Sequence, residues 1–303
     1  MTQPLVTIVI PSYGQASFLK EMLRSVFDQD YPQLEVIVVD GGSGDGSVEI
    51  VRRHADRLAW WVSERDGGQA DALNKGFARA TGALLGWICS DDTLLPGAVT
   101  AAVAALSADP AALLVYGDAL LVDELGHPLG RLPARPFDLV EMVRTCQNHV
   151  FQPGSLFTRR AWELAGPLEV ESHYYFDFEL VLRLALRGHA IRIEGPLGTY
   201  RLHDESKSVA GTLIKAVDHE RLYDVLFGRA DLPVEVRAVE AEARSRSHLT
   251  AGEYYYAAGE RARARAAYLR AIRLHPRQVD LRTAGLIART LAPRRIVAAA
   301  RHR

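Results

Sequence analysis

Residues 5–40 read LVTIVIPSYGQASFLKEMLRSVFDQDYPQLEVIVVD, and the alternation inside this stretch decides the fold. Leu5–Ile10 is a short, β-branched apolar run, the composition of a strand buried on both faces. Pro11-Ser12-Tyr13-Gly14 breaks it. Between Ser17 and Gln29 the apolar residues Leu19, Leu23, Val26 and Phe27 share one helical face, and Tyr31-Pro32 ends that helix. Leu34–Val39 is a second buried run, halted by Asp40-Gly41-Gly42-Ser43. Strand, helix and strand in this order predict a parallel pair joined by a right-handed crossover.

The same alternation continues outward. Ser47–His54, Ala70–Ala80 and Gly97–Leu106 read as helices, and Leu58–Val62, Ala83–Ile88 and Leu113–Tyr116 as strands. Ala83–Ile88 runs directly into Cys89-Ser90-Asp91-Asp92. Asp118–Pro136, rich in Gly and Pro, reads as a hairpin with loops, Val150–Thr158 as a strand segment, Asp177–Arg187 as an amphipathic helix with Gly188 behind it, and Ala190–Ile193 as a strand. Leu202–Gly211 is polar and reads as a loop. The expected fold class is α/β, a Rossmann-like, mostly parallel sheet flanked by helices. Strand signals stop near Ile214, which divides the chain into residues 1–213 and an all-α extension, 214–303.

Composition restricts the function. Apolar residues make up 48% and charged residues 24% of 303, the balance of a folded protein with a sizeable core. A net charge of −1 gives no case for nucleic-acid binding. Cys89 and Cys146 form no disulfide framework or zinc pattern and fit a reducing compartment. The N-terminal residues lack a signal-peptide core, and no run of about 18 apolar residues is present. A cytoplasmic location is expected. Charge is unevenly spread: from Ala257 onward twelve arginines face only Glu260 and Asp280. A solvated arginine face is one reading of that tail. Docking at the cytoplasmic face of an anionic membrane, or on an acidic partner, is the other.

In an open α/β sheet, ligands sit beyond the carboxyl ends of the strands. Pro11-Ser12-Tyr13, Asp40-Gly41-Gly42-Ser43 and Ser90-Asp91-Asp92 each follow an apolar run directly, so parallel strands would bring all three to one rim. Asp40 can accept a hydrogen bond from a ribose hydroxyl or a base N–H; its alternative is a turn residue bonded to its own backbone. Ser43 and Ser47 read as helix caps. Adjacent acids at a strand end call for a balancing cation, so Asp91-Asp92 imply Mg2+ or Mn2+ shared with phosphate oxygens, with N-capping of the next helix as the alternative. Neither GxGxxG nor GxxxxGK[ST] occurs, which speaks against dinucleotide cofactors and P-loop chemistry.

Four segments, TIVIPSYGQASFLKEMLRSVFDQ, LEVIVVDGGSGDGS, DGGQADALNKGFARATG and GWICSDD, resemble in order and spacing the inverting family 2 glycosyltransferases of the GT-A fold. The resemblance covers roughly residues 5–210. It implies a nucleotide-sugar donor (a UDP-, dTDP- or GDP-sugar), a bound Mg2+ or Mn2+, and a glycan or lipid-linked acceptor. It matches Pro11, Ser12 and Tyr13 to the first nucleoside-contacting strand end, Asp40 to the acid that reads the base, and Ser90-Asp91-Asp92 to the DXD region. There Asp91 contacts the ribose and Asp92 holds the metal. Asp66, Gln69 and Asn74 match a segment lining nucleotide and donor sugar. Asp177, within Tyr174–Leu180, matches the catalytic base; a helix N-cap is its alternative role, and Glu179 is the fallback base. His203 matches a late ligand of the metal or diphosphate site, with Lys207 as a phosphate partner nearby.

Three departures stand out. Leu73 and Cys89 occupy positions where many members carry Arg and Asp, and Phe176 stands where a second acid often precedes the base. Cys89 reads as a small buried apolar residue. Nucleotidyl transfer is a competing reading, but PSYGQASFLK offers no basic Gly-rich loop. A non-catalytic nucleotide-sugar-binding module is another, against which the retained acids speak.

Ala251–Pro276 resembles a single tetratricopeptide-like helix pair, turning at Gly259 and packing through Tyr254, Ala257, Ala264, Tyr268 and Ile272. One such pair cannot bury its apolar side alone, so it is expected to pack on the catalytic domain or on a second copy of the chain as a homodimer. Leu286–Arg303 reads as a basic amphipathic helix.

Overall fold

The computed structural model describes residues 3–203, 212–278 and 281–291. They fall into two compact units, one drawn from residues 1–138 and 148–209, the other from 139–147 and 210–303.

The first unit begins β1 (Val6–Ser12), α1 (Ala16–Phe27), β2 (Leu34–Asp40), α2 (Ser47–Arg53), β3 (Trp60–Ser63), α3 (Gln69–Arg79), β4 (Leu84–Trp87) and α4 (Ala98–Ala108). The hairpin β5 (Leu114–Val122) and β6 (Pro128–Leu132) follows. After α5 (Leu139–Thr145), which belongs to the other unit, come β7 (Leu156–Thr158), α6 (Arg159–Ala165), α7 (Phe176–Ala185) and β8 (Ala190–Arg201). The strands form one mixed sheet in the order β3-β2-β1-β4-β7-β5-β6, with β8 paired to β5. β3, β2, β1 and β4 are mutually parallel; β7 runs against β4 and β5.

Helices cover both faces of the parallel part, which is why β1 and β2 read as unbroken apolar runs. Ile8, Ile10, Val36 and Val38 pack with Leu19, Leu23 and Val26 of α1. On the other face α3 lies so close to β1 that a Cβ on Gly76 would stand 2.3 Å from Val9 Cγ1. Phe77, Trp87 and Phe157 pack edge to face around that contact, with centroids 5.5–6.2 Å apart.

Several boundaries depart from the sequence reading. β1 does not stop at Pro11 but runs through Ser12, pairing Pro11 with Val39 of β2. The proline is tolerated because pairing with β4 has already ended at Val9–Trp87. β7 keeps only the last three residues of the segment expected from Val150 onward. β8 is far longer than Ala190–Ile193: Gly195 takes φ 104° at an irregularity in the β5 pairing, and the strand continues through Pro196 to Arg201. That extension carries Arg201 and His203 to their places in the fold. Lys207 lies outside the described residues.

The second unit comprises α5, α8 (Thr212–Gly228), α9 (Val234–Ala238), α10 (Glu240–Ala257), α11 (Arg261–Leu274) and α12 (Leu281–Leu291). α5 joins it by burying Met142 and Val143, by the Tyr223 hydroxyl donating to the Val143 carbonyl, and by an Arg144–Glu242 ion pair. A seven-residue helix is too short to show its period in sequence, so the expected single boundary at 213/214 missed it. α10 and α11 form the expected helix pair, with Gly259 at φ 83° in the turn. Ala251, Tyr255, Ala264, Ala267 and Tyr268 are its buried contacts. Tyr255, not Tyr254, is the deeper tyrosine, and Ala257 is exposed rather than packed. Ala216 of α8 and Leu286 and Ile287 of α12 cover the pair within the unit. The remainder of the expected Leu286–Arg303 helix, 292–303, lies outside the described residues.

Candidate functional site

The register of the parallel strands aligns Ser12 with Asp40 and Asp40 with Ser63 across the carboxyl rim of the sheet. Asp40 is fully buried and organises this rim. Its carboxylate accepts the Gly42 and Ser43 N–H groups at 3.1 and 2.9 Å and the Ser43 and Ser63 hydroxyls at 2.5 and 2.7 Å. The turn role weighed for Asp40 is therefore present in the structure. Ser43 is not a helix cap: its Oγ accepts the Gly14 N–H at 2.9 Å and so joins the loops after β1 and β2. Ser47 does not cap α2 either; its hydroxyl donates to Asp45, whose other oxygen accepts Ala16 N–H at the start of α1. Burial opposes ionisation of Asp45, yet these hydrogen bonds hold its carboxyl below the usual range.

Tyr13 and Asp66 close over Gly41. A Cβ on Gly41 would meet Asp66 Oδ2 at 2.9 Å and Tyr13 Cδ2 at 3.2 Å, so only glycine lets both side chains approach the rim. Tyr13 is 72% exposed, whereas Ser12 Oγ is buried and has no hydrogen-bond partner among the described residues. Burial raises the Asp66 carboxyl above its usual range, with the charges of Asp71 and Asp40 adding to it and the Gly68 N–H and Lys75 opposing. Pro11 is buried beside Ser12 in β1.

The loop after β4 holds the second cluster. Cys89 Sγ and carboxylate oxygens of Asp91 and Asp92 lie within 4.8 Å of one another. Cys89 is not an inert apolar filler: Gln69 Nε2 donates to its sulfur at 3.2 Å, and the thiol faces Gln152 Oε1 at 3.5 Å. His203 Nε2 lies 3.1 Å from Asp91 Oδ2, so the imidazole sits on Asp91 rather than Asp92. Asp92 is deeper, and its Oδ1 accepts the Arg201 N–H at 2.8 Å. Burial, and then the neighbouring Asp91 charge, hold the Asp92 carboxyl well above the usual range, against the pull of Arg201. Two oxygen donors crowded against their own repulsion, with an imidazole beside them, fit a hard or borderline divalent cation.

Arg201 ties this cluster together. Its guanidinium donates to the Asp91 carbonyl at 2.7 Å, to the Glu124 carbonyl at 3.0 Å and to Glu21 at 2.9 Å, and lies over the Phe18 ring. Phe18 in turn packs on His203, with centroids 4.6 Å apart. Sequence reasoning passed over Arg201, Gln152, Asp45 and Ser63. Only Arg201 carried a signal, its place two residues before His203.

Asp177 lies in the first turn of α7, one residue inside the helix, so it is not the N-cap; Tyr175 holds that position. Asn148 Nδ2 stands 3.4 Å from Asp177 Oδ2. The two face a small cavity of about 20 Å³, room for one water, whose lining includes Trp87, Gln152 and Phe157. Gln152 connects that cavity to Cys89 and hence to the acidic pair. Glu179, two residues on in the same first turn of α7, is largely buried. Asn74 differs from its expected use: its amide donates to the Leu168 carbonyl and accepts the Leu168 N–H, at 2.9 and 2.8 Å, clamping the loop before α7 to α3. Ser90 is buried in the β4 loop.

Comparison with known proteins agrees with this architecture. An uncharacterised glycosyltransferase of Mycobacterium tuberculosis (strain H37Rv) is 31% identical over 231 residues, covering 73% of this chain and 86% of that protein. Among solved structures, S. aureus TarS 1–349 in complex with UDP-GlcNAc superposes with a TM-score of 0.67 at 16% identity, over 93% of this chain and 84% of that one. The mannosyltransferase PcManGT of Pyrobaculum calidifontis, in complex with GDP-Man and Mn2+, superposes with a TM-score of 0.61 at 23% identity, over 95% and 79%. These two likenesses establish the GT-A type of fold. Residues 7–162, which carry the rim of Ser12 and Asp40 and the acidic pair, match the family described as glycosyl transferase family 2, and the chain belongs to that family.

Proposed function

We propose that the chain moves a sugar from a nucleoside-diphosphate donor to an acceptor hydroxyl, with inversion at the anomeric carbon. The observation that carries this reading is the convergence of Ser12, Tyr13, Asp40 and Asp66 on one carboxyl rim, together with a crowded Asp91–Asp92–His203 cluster one strand away. The orphaned Ser12 hydroxyl and exposed Tyr13 suit a nucleoside. Nucleotide-sugars bound to the two solved neighbours support the donor class, and Mn2+ in one of them supports a divalent ion.

Asp91 and His203, with Asp92 behind them, would hold Mg2+ or Mn2+. Bound there, the ion would balance the charge that builds on the departing diphosphate. Asp177 is the base: it takes the proton of the acceptor hydroxyl as that oxygen bonds to the anomeric carbon and the sugar–phosphate bond breaks. Asn148 orients its carboxylate. Asn74 acts on the site indirectly, by holding the loop before α7. A glycan or lipid-linked acceptor follows from the family alone.

The test is nucleotide release from UDP-, dTDP- and GDP-sugars with Mg2+ or Mn2+, alongside donor affinity by calorimetry. Asp177→Asn should keep donor affinity and lower kcat by about 10²–10⁴-fold. Wild-type turnover in that variant would remove Asp177 as the base. Failure of every donor to bind in the presence of metal would remove the transferase reading of the rim.

A further inference from the structure

Helix α11 buries Ala264, Ala267, Tyr268 and Ala271 within its own unit. At about 100° per residue these four occupy one arc of the helix. The opposite arc carries Arg263, Arg270 and Arg273, bounded on its two edges by Leu269 and Leu274, which are 44% and 38% exposed. Two of the three arginines are weakly answered or unanswered. Arg270 reaches Glu220 at 3.0 Å, Arg263 reaches Glu260 only at 4.0 Å, and Arg273 has no acidic partner among the described residues. Positive charge therefore accumulates on this arc.

We propose that this face of α11 docks on an anionic lipid bilayer. Charge complementarity selects an anionic surface, and the leucines decide which kind. A soluble polyanion gains nothing from two exposed leucines, whereas a bilayer interface meets arginine with headgroup phosphate and leucine with the acyl boundary just beneath it. The face also lacks the aromatic side chains on which nucleic-acid bases stack. No described helix is long and apolar enough to cross a membrane, so the contact is one of lying on the surface.

The inference is independent of the transfer reading, because binding is measured without donor or acceptor. The full chain is sedimented with vesicles of phosphatidylcholine containing about a third phosphatidylglycerol, and with pure phosphatidylcholine, at low and high NaCl. Binding should require the anionic lipid and fall steeply with salt. Arg263→Gln with Arg273→Gln should weaken partitioning about 25-fold, and Arg273→Gln alone about fivefold. Leu269→Ser with Leu274→Ser should weaken it about tenfold. The single arginine variant, at a site with no acidic partner to lose, keeps the test valid if a double variant fails to fold. Equal binding to neutral vesicles, or no binding to anionic ones, overturns the proposal. So does full binding by the leucine variant together with displacement by polyphosphate, which would make the face a polyanion site.

Discussion

Asp92→Asn probes the acidic pair through an effect of unexpected sign. Carboxylate oxygens of Asp91 and Asp92 lie within 4.8 Å of one another, and Asp92 is buried. At an effective dielectric near 20, two unit charges at that separation repel by about 3 kcal/mol. Arg201 relieves part of this, and Asp92 escapes another part by holding its proton to higher pH than usual. Asparagine keeps an oxygen for the Arg201 N–H and offers Asp91 a donor. The metal-free variant should therefore be more stable than wild type by about 1–3 kcal/mol, or roughly 2–4 °C in Tm per kcal/mol. The gain should depend on pH. Asp92 titrates higher folded than unfolded, so as pH rises the unfolded chain releases its proton first, and wild type loses stability through that window. The advantage of asparagine should grow upward from about pH 4 and vanish below it. Cation binding should move the other way: Mn2+ with UDP should raise the Tm of wild type and leave the variant nearly unmoved. Thermal melts with EDTA, with Mn2+, and with Mn2+ plus UDP read both effects. A lower Tm for the metal-free variant at neutral pH, or an unchanged Mn2+ response, would refute the account of the pair.

Gly41→Ala places a methyl 2.9 Å from Asp66 Oδ2 and 3.2 Å from Tyr13; it should weaken UDP affinity about tenfold by calorimetry, with under about 1 kcal/mol lost in stability, because the displaced side chains lie at the rim rather than in the core. Gly252→Ala drives a Cβ to 2.4 Å from the buried Tyr268 ring; despite better helix propensity, urea unfolding should show a net loss of about 1–2 kcal/mol. His219 is buried against Ser247 and Tyr223, and burial, then the His248 charge, push its pKa down to about 4. The unfolded chain takes that proton first below about pH 6.5, so stability should fall between pH 6.5 and 4 by up to about 3 kcal/mol, and His219→Gln should flatten that part of the urea-midpoint profile.

Much of the first unit was legible because its signals are local. Unbroken β-branched runs mark strands covered on both faces, and apolar residues at helical spacing mark the helices between them. The family motifs sit where those runs end, so the positions of the site clusters in the fold could be read before any contact was known. Errors gathered where long-range contacts outvote local pattern. Pro11 stays in β1 because its neighbour β4 has ended, a fact about another strand. β8 passes Gly195 and Pro196 because β5 accommodates the irregularity, and only then do Arg201 and His203 reach Asp91 and Asp92. Asn74 matches a family position in sequence, yet its amide holds Leu168, 94 residues away.

The amino-acid order by itself determined the α/β alternation, the family, the helix pair turning at Gly259 and the uneven charge of the tail, since each depends on neighbours within a few turns or strands. Tertiary structure decided the rest. It set which oxygen His203 meets, it made Cys89 the junction between Gln69, Gln152 and the acidic pair, and it joined α5 to the helical unit. It also determined which arc of α11 keeps its arginines on the surface. The physical reason is common to all four. A hydrogen bond or buried contact between residues far apart depends on how sheet register and helix packing close the chain, and no window of sequence contains both partners.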